Sequence, residues 1–220
     1  MKLKECENFI VLGLFLGAVG LLSALVLAVV SGLTAPEIRK ADLRAKSAAL
    51  KRLELGDFDN DPTAEKREID GVTFMAVRKG GKLVGIAAEA ETPNGYAGKI
   101  KELVGFKPDG TITAVLVTDE KETPGLGKNV CERKFKKTIF NFFKPAPEGL
   151  APNPILDQFS GKKAKAGDKT GWRVKKDGGD FDYRTGATVT SRAVTGMTGR
   201  AAQVFADRPA EIKAAFPEVK

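Results

Sequence analysis

The sequence predicts an α+β fold, in which an antiparallel sheet with packed helices follows one N-terminal transmembrane helix. Three observations carry this reading. The run from Phe9 to Leu33 contains no charged residue and at helical rise can span roughly 30 Å of hydrocarbon. Two hairpin-like units lie between Val72 and Thr118. After Thr188, the residues Val194, Met197, Ala201, Val204 and Phe205 recur at three- and four-residue spacing and form one apolar helical stripe. With 220 residues, 29% of them charged, and a formal net charge of +8, one domain of ordinary size plus an appendage is expected.

Taken in order, residues 1–8 form a short head with Lys2 and Lys4, and residues 9–33 form the transmembrane helix. A cleavable secretory signal is the rival reading. The apolar stretch is longer than an h-region, however, and Ser31-Gly32-Leu33-Thr34-Ala35-Pro36 is a poor cleavage site. Residues 34–69 read as a helical stalk and linker. Thr34-Ala35-Pro36-Glu37 suggests a capping box that opens a charged, alanine-rich helix to about Leu55, and the turn-rich segment Gly56–Pro62 follows. Basic residues of the stalk can meet lipid headgroups or simply be solvated.

The soluble domain is placed at 70–208. Its first hairpin alternates Val72, Phe74 and Ala76, turns at Lys79-Gly80-Gly81-Lys82 and returns over Leu83–Ala87. The second pairs Ile100–Phe106 with Thr111–Thr118 across Lys107-Pro108-Asp109-Gly110. Residues 128–143 are expected to be an amphipathic helix with Val130, Phe135, Ile139, Phe142 and Phe143 on one face. Helical spacing explains these aromatics as core, so the basic run beside them does not call for nucleic acid. Pro145, Pro147, Pro152 and Pro154 mark a long loop, Trp172-Arg173-Val174 a short strand, and residues 209–220 a C-terminal tail.

The chemistry gathers at Asp182-Tyr183-Arg184-Thr185-Gly186-Ala187-Thr188-Val189-Thr190-Ser191, a hydroxyl-rich turn that feeds a helix N-terminus. Such a terminus carries unpaired N–H groups and the positive end of the macrodipole, which suits a phosphate. On composition alone an ordinary Ser/Thr cap is the reading put ahead of it. Several classes are excluded. Histidine is absent, which removes imidazole bases and His-ligated metals. The two cysteines, Cys6 and Cys131, form no CxxC pair, so no iron–sulfur, zinc or c-haem site is expected. No P-loop or Rossmann glycine fingerprint is present either.

The run Asp182-x-x-Thr185-Gly186-Ala187-Thr188 resembles the flavinylation signature of the FMN-binding domain shared by the G subunit of the Rnf complex and the C subunit of the sodium-translocating NADH:quinone reductase. Upstream, Glu122-Thr123-Pro124-Gly125-Leu126-Gly127 is similar to a second segment usual in the Rnf G subunit, and Asn94-Gly95-Tyr96-Ala97-Gly98 resembles a further family loop. The resemblance implies FMN bonded by a phosphoester to Thr188 and installed by a separate flavin transferase that recognises the signature from Asp182. It implies flavin contacts from Thr185, Gly186, Ala187, Thr190, Glu122, Thr123, Leu126 and Gly127, with no catalytic residue and no metal on this chain. Trp172 can stack on the flavin or simply pack.

The implied role is an electron-carrying subunit in a membrane complex that passes electrons between ferredoxin and NAD while moving ions. Its partners would be the other subunits, the transferase and the bilayer. A membrane-tethered FMN sensor or assembly module is the alternative from a different class, and the C subunit of the quinone reductase the close one. The family implies a soluble domain on the outer, periplasmic side. The basic cluster Arg39, Lys40, Arg44, Lys46, Lys51 and Arg52 would by the positive-inside count leave it in the cytoplasm. That rule is weak where a long domain follows.

Overall fold

A computed structural model describes residues 2–135, 149–167 and 171–217 of the chain. The chain divides into two compact units, 1–45 and 46–220. Helix α1 spans Lys2–Lys51. Large apolar side chains from Phe9, 80% exposed, to Leu33, 72% exposed, find no protein partner along it, which is the condition of a helix that uses lipid as solvent. The capping box expected at Thr34 is not formed. Pro36 lies inside the helix, and the Thr34 hydroxyl donates backward to the Val30 carbonyl at 2.8 Å instead of forward to an N-terminal N–H.

The second unit is built on a five-stranded antiparallel meander, β1 Lys66–Ile69, β2 Val72–Lys79, β3 Lys82–Gly95, β4 Gly98–Phe106 and β5 Ile112–Asp119, in that spatial order. The expected hairpins are therefore neighbours in one sheet, joined by the turn at Tyr96–Ala97. β1 lies ahead of Asp70, where the domain was expected to begin. Cross-strand pairs Phe74–Ala88, Ala88–Val104 and Val104–Val115 fix the register.

Both faces of the sheet are covered. Phe74, Ile86, Val104, Phe106 and Val115 pack toward helix α4, Thr188–Asp207, while Met75, Val77, Ala87, Leu103 and Leu116 pack with Leu50, Leu53 and Leu55. Double coverage explains why Phe74 to Val77 are all buried, where simple alternation would leave every second one wet.

The expected helix over 128–143 is corrected over its described part, residues 128–135. Helix α2 covers only Lys128–Cys131, because Glu132 turns extended at φ −90°, ψ 135°. Arg133 then donates to the carbonyls of Val115 at 3.0 Å and Ala151 at 2.9 Å and to Asp157 at 2.6 Å. These bonds hold the chain away from a helical path. Ile139, Phe142, Phe143, Pro145 and Pro147 lie outside the described residues.

Helix α3, Pro154–Asp157, is capped by Asn153, whose side chain accepts from the Ile155 and Leu156 N–H groups. Trp172-Arg173-Val174 contributes only a single bridge, Val174 to Phe181. Residues expected as a C-terminal tail form α5, Pro209–Ala215, with Ile212 and Phe216 buried against the main core.

Candidate functional site

Helix α4 begins at Thr188 because the chain before it is bent and then locked. Gly186 takes φ +83°, a conformation in which L side chains are strained. The Ala187 N–H donates to the Arg184 carbonyl at 3.0 Å. From the first turn of the helix, Ser191 reaches back, its hydroxyl donating to the Ala187 carbonyl at 2.9 Å and accepting from the Arg184 N–H at 3.2 Å. The N-cap residue is Ala187, and no side chain caps the helix. The Ser/Thr-cap reading of this stretch is thereby removed, and the leading N–H groups of α4 remain open to an anion.

In front of this terminus lies a cleft of about 400 Å³, lined by Tyr96, Glu122, Thr123, Leu126, Gly127, Lys176, Gly186, Ala187, Thr188, Val189 and Thr190. Two segments more than fifty residues apart in sequence thus form facing walls. Close packing joins them, for a Cβ on Gly186 would lie 3.3 Å from Leu126 Cδ2. Thr188 is half-buried, and its hydroxyl has no hydrogen-bond partner among the described residues. Leu126, Val189 and Tyr96 remain 46%, 42% and 72% exposed, so the cleft offers apolar and aromatic surface beside a cationic lysine and an uncapped helix end. That donor set fits a phosphate attached to a flat, largely apolar ring.

The expected site residues do not all stand in the same relation to this cleft. Thr123, Leu126, Gly127, Gly186, Ala187 and Thr188 line it. Glu122 and Thr190 also reach it, but they are turned to each other. The Thr190 hydroxyl donates to Glu122 Oε2 at 2.8 Å, and the Ala97 N–H donates to Oε1 at 3.1 Å. Thr185 is exposed and outside the lining, as is Asp182. Asp182 pairs with Lys175 at 2.6 Å and exchanges backbone bonds with the Gln158 side chain at 2.6 and 3.1 Å.

Trp172 is outside the lining as well. It stacks on Phe181 at 5.0 Å and 20° and on Phe159 at 6.3 Å and 22°, so packing is its role in this structure. Tyr96, Lys176 and Val189 were not expected as site residues from the sequence. Tyr96 had a signal, since it sits in the glycine-flanked loop Asn94–Gly98. Lys176 had none, because the turn carrying it is placed by long-range contacts, the Val174–Phe181 bridge and the bonds from Arg192 to Asp177.

The FMN-binding domain family matches residues 95–203, an interval holding every residue that lines the cleft. The G subunit of an ion-translocating oxidoreductase complex from Cereibacter sphaeroides is 35% identical over 216 residues, covering 94% of this chain and 89% of its own. The protein of that name from Shewanella oneidensis is 33% identical, covering 91% of each. One from Salmonella typhi is 40% identical over 139 residues, covering 63% of this chain and 58% of its own.

Proposed function

Because this chain belongs to the family of the G subunit of ion-translocating oxidoreductase complexes, we propose that it is a membrane-anchored electron carrier whose FMN is joined through its phosphate to Thr188. The flavin supplies the redox chemistry that no side chain here can. The chain's own work is to hold and orient it. The uncapped turn of α4 and Lys176 receive the phosphate, while Leu126, Val189 and Tyr96 receive the ring.

The observation that carries the reading is the free, half-buried hydroxyl of Thr188 at an uncapped helix N-terminus inside the cleft. In attachment, the Thr188 Oγ would take the flavin phosphate in exchange for the pyrophosphate bond of FAD, with AMP as the leaving group. The hydroxyl proton goes to a base of the flavin transferase, since the buried Glu122 is already committed to Thr190 and Ala97. Asp182 stands exposed outside the cleft, where a transferase can read it without disturbing the ring site. A covalent tether suits an open cleft, because it fixes the local concentration of a shallowly held group.

The soluble unit lies on the outer side of the membrane in this reading, beside the other subunits of an Rnf-type complex. Peptide mass spectrometry of the chain purified from its native membrane tests the central point. The peptide from Asp182 to Arg192 is expected to carry FMN, and Thr188→Ala to abolish that mass. An unmodified native peptide removes the covalent-carrier reading.

A further inference from the structure

Glu122 is 4% exposed and forms no ion pair among the described residues. Both of its oxygens accept, Oε1 from the Ala97 N–H and Oε2 from the Thr190 hydroxyl. Its own N–H donates to Glu120 at 2.6 Å. Through these bonds one carboxylate ties together the three segments that wall the cleft: the β3–β4 turn with Tyr96, the loop from Glu122 to Gly127, and the start of α4. Two glycines make room for it. A Cβ on Gly127 would lie 2.3 Å from Oε2, and one on Gly95 would lie 2.8 Å from Oε1, so neither position accepts a side chain while the carboxylate is seated.

A neutral amide could bridge the same walls without burying a charge, and burying an unpaired charge is costly. A second buried acid bonded to a threonine of α4, Glu102 on β4, shows the contrast. Thr198, eight residues after Thr190, donates to Glu102 Oε1 at 2.9 Å, but Glu102 Oε2 has no partner. Of these two buried acids, the one at the cleft has donors on both oxygens. A fixed negative charge in a poorly hydrated wall acts strongly on an electron added next to it.

Resting on the FMN reading above, we propose that Glu122 is a positioning residue of the flavin site, clamping its three walls and holding the flavin's midpoint potential low through its charge. The two roles separate by substitution. Glu122→Gln keeps a hydrogen-bonding bridge and removes the charge. Thr190→Val keeps the charge and cuts one strand of the clamp, and Thr190→Ser restores the hydroxyl.

The experiment uses the full chain and three readouts: flavin mass on the Asp182–Arg192 peptide, the midpoint potential by spectroelectrochemistry, and, in the unloaded Thr188→Ala chain, hydrogen exchange at the Ala97 amide. Flavin absent from the native peptide counts against the attachment reading alone, because the exchange measurement tests the clamp without flavin. With flavin attached, Glu122→Gln is expected to raise the midpoint by more than Thr190→Val does. Ala97 exchange is expected to quicken in Thr190→Val and to return in Thr190→Ser. An unchanged midpoint in flavin-loaded Glu122→Gln overturns the electrostatic role. Equal exchange in Val and Ser overturns the clamp, and that arm stands even where Glu122→Gln fails to accumulate.

Discussion

Burial holds the Glu102 carboxyl up to about 8, against a partial downward pull from the Thr198 hydroxyl bond. The folded chain therefore keeps a proton that the unfolded chain releases above its ordinary 4.5. The stability this confers is fully present below that lower value, declines as pH rises and is gone above about 8. Chemical denaturation at pH 5 and pH 8 is expected to show a loss on the order of a few kcal/mol, and Glu102→Gln to flatten it. Cys131 points the same way, its thiol pushed up to about 12, first by burial and then by Glu120, Glu122 and Glu102. It should resist alkylation at neutral pH until the chain is unfolded in denaturant, read by mass. Glu102 was legible in principle. It shares strand parity with Ile100, Val104 and Phe106, all buried, so period two aims it inward. The bond between Glu122 and Thr190 was not legible, because nothing in a linear sequence links residues 68 positions apart.

At the scale of elements, α4 is the piece that sequence periodicity described well, because its apolar stripe meets the sheet across β3 and β4. The helix expected over 128–143 stops after Cys131 for a reason that periodicity cannot carry. Arg133, a charged residue within the expected helix, instead enters the fold to bind two carbonyls and a carboxylate. Glycine placement on α4 is equally positional. A Cβ at Gly199 would stand 2.3 Å from Trp172 Cβ and 2.5 Å from its Cγ, whereas one at Gly196 would meet nothing within 4 Å. Gly199→Ala is expected to displace the indole and cost about 1–3 kcal/mol, with a matching change in tryptophan fluorescence. Gly196→Ala should be neutral or stabilising, through higher helix propensity. Equal thermal midpoints for the two variants would contradict the tight α4–Trp172 contact.

For the whole molecule, the charge-free run and the sheet were readable because each is written locally, one in composition and the other in alternation and turn residues. What was not readable was that Leu50, Leu53 and Leu55, assigned to the stalk and linker, complete the core on one face of the sheet. A chain beginning at Lys46 is therefore expected to fold and remain in the soluble fraction, while one beginning at Asp70 loses these leucines and β1 and aggregates. Fractionation and circular dichroism of the two chains check this.

The order of the strands also sets an order in time. Each strand pairs with the one made just before it, so the sheet can zip up as the chain emerges. Helix α4, which supplies Thr188 and one cleft wall, lies near the C-terminal end. During synthesis the sheet accordingly waits with one apolar face bare, and the cleft in front of Thr188 is the last part of the fold to be completed.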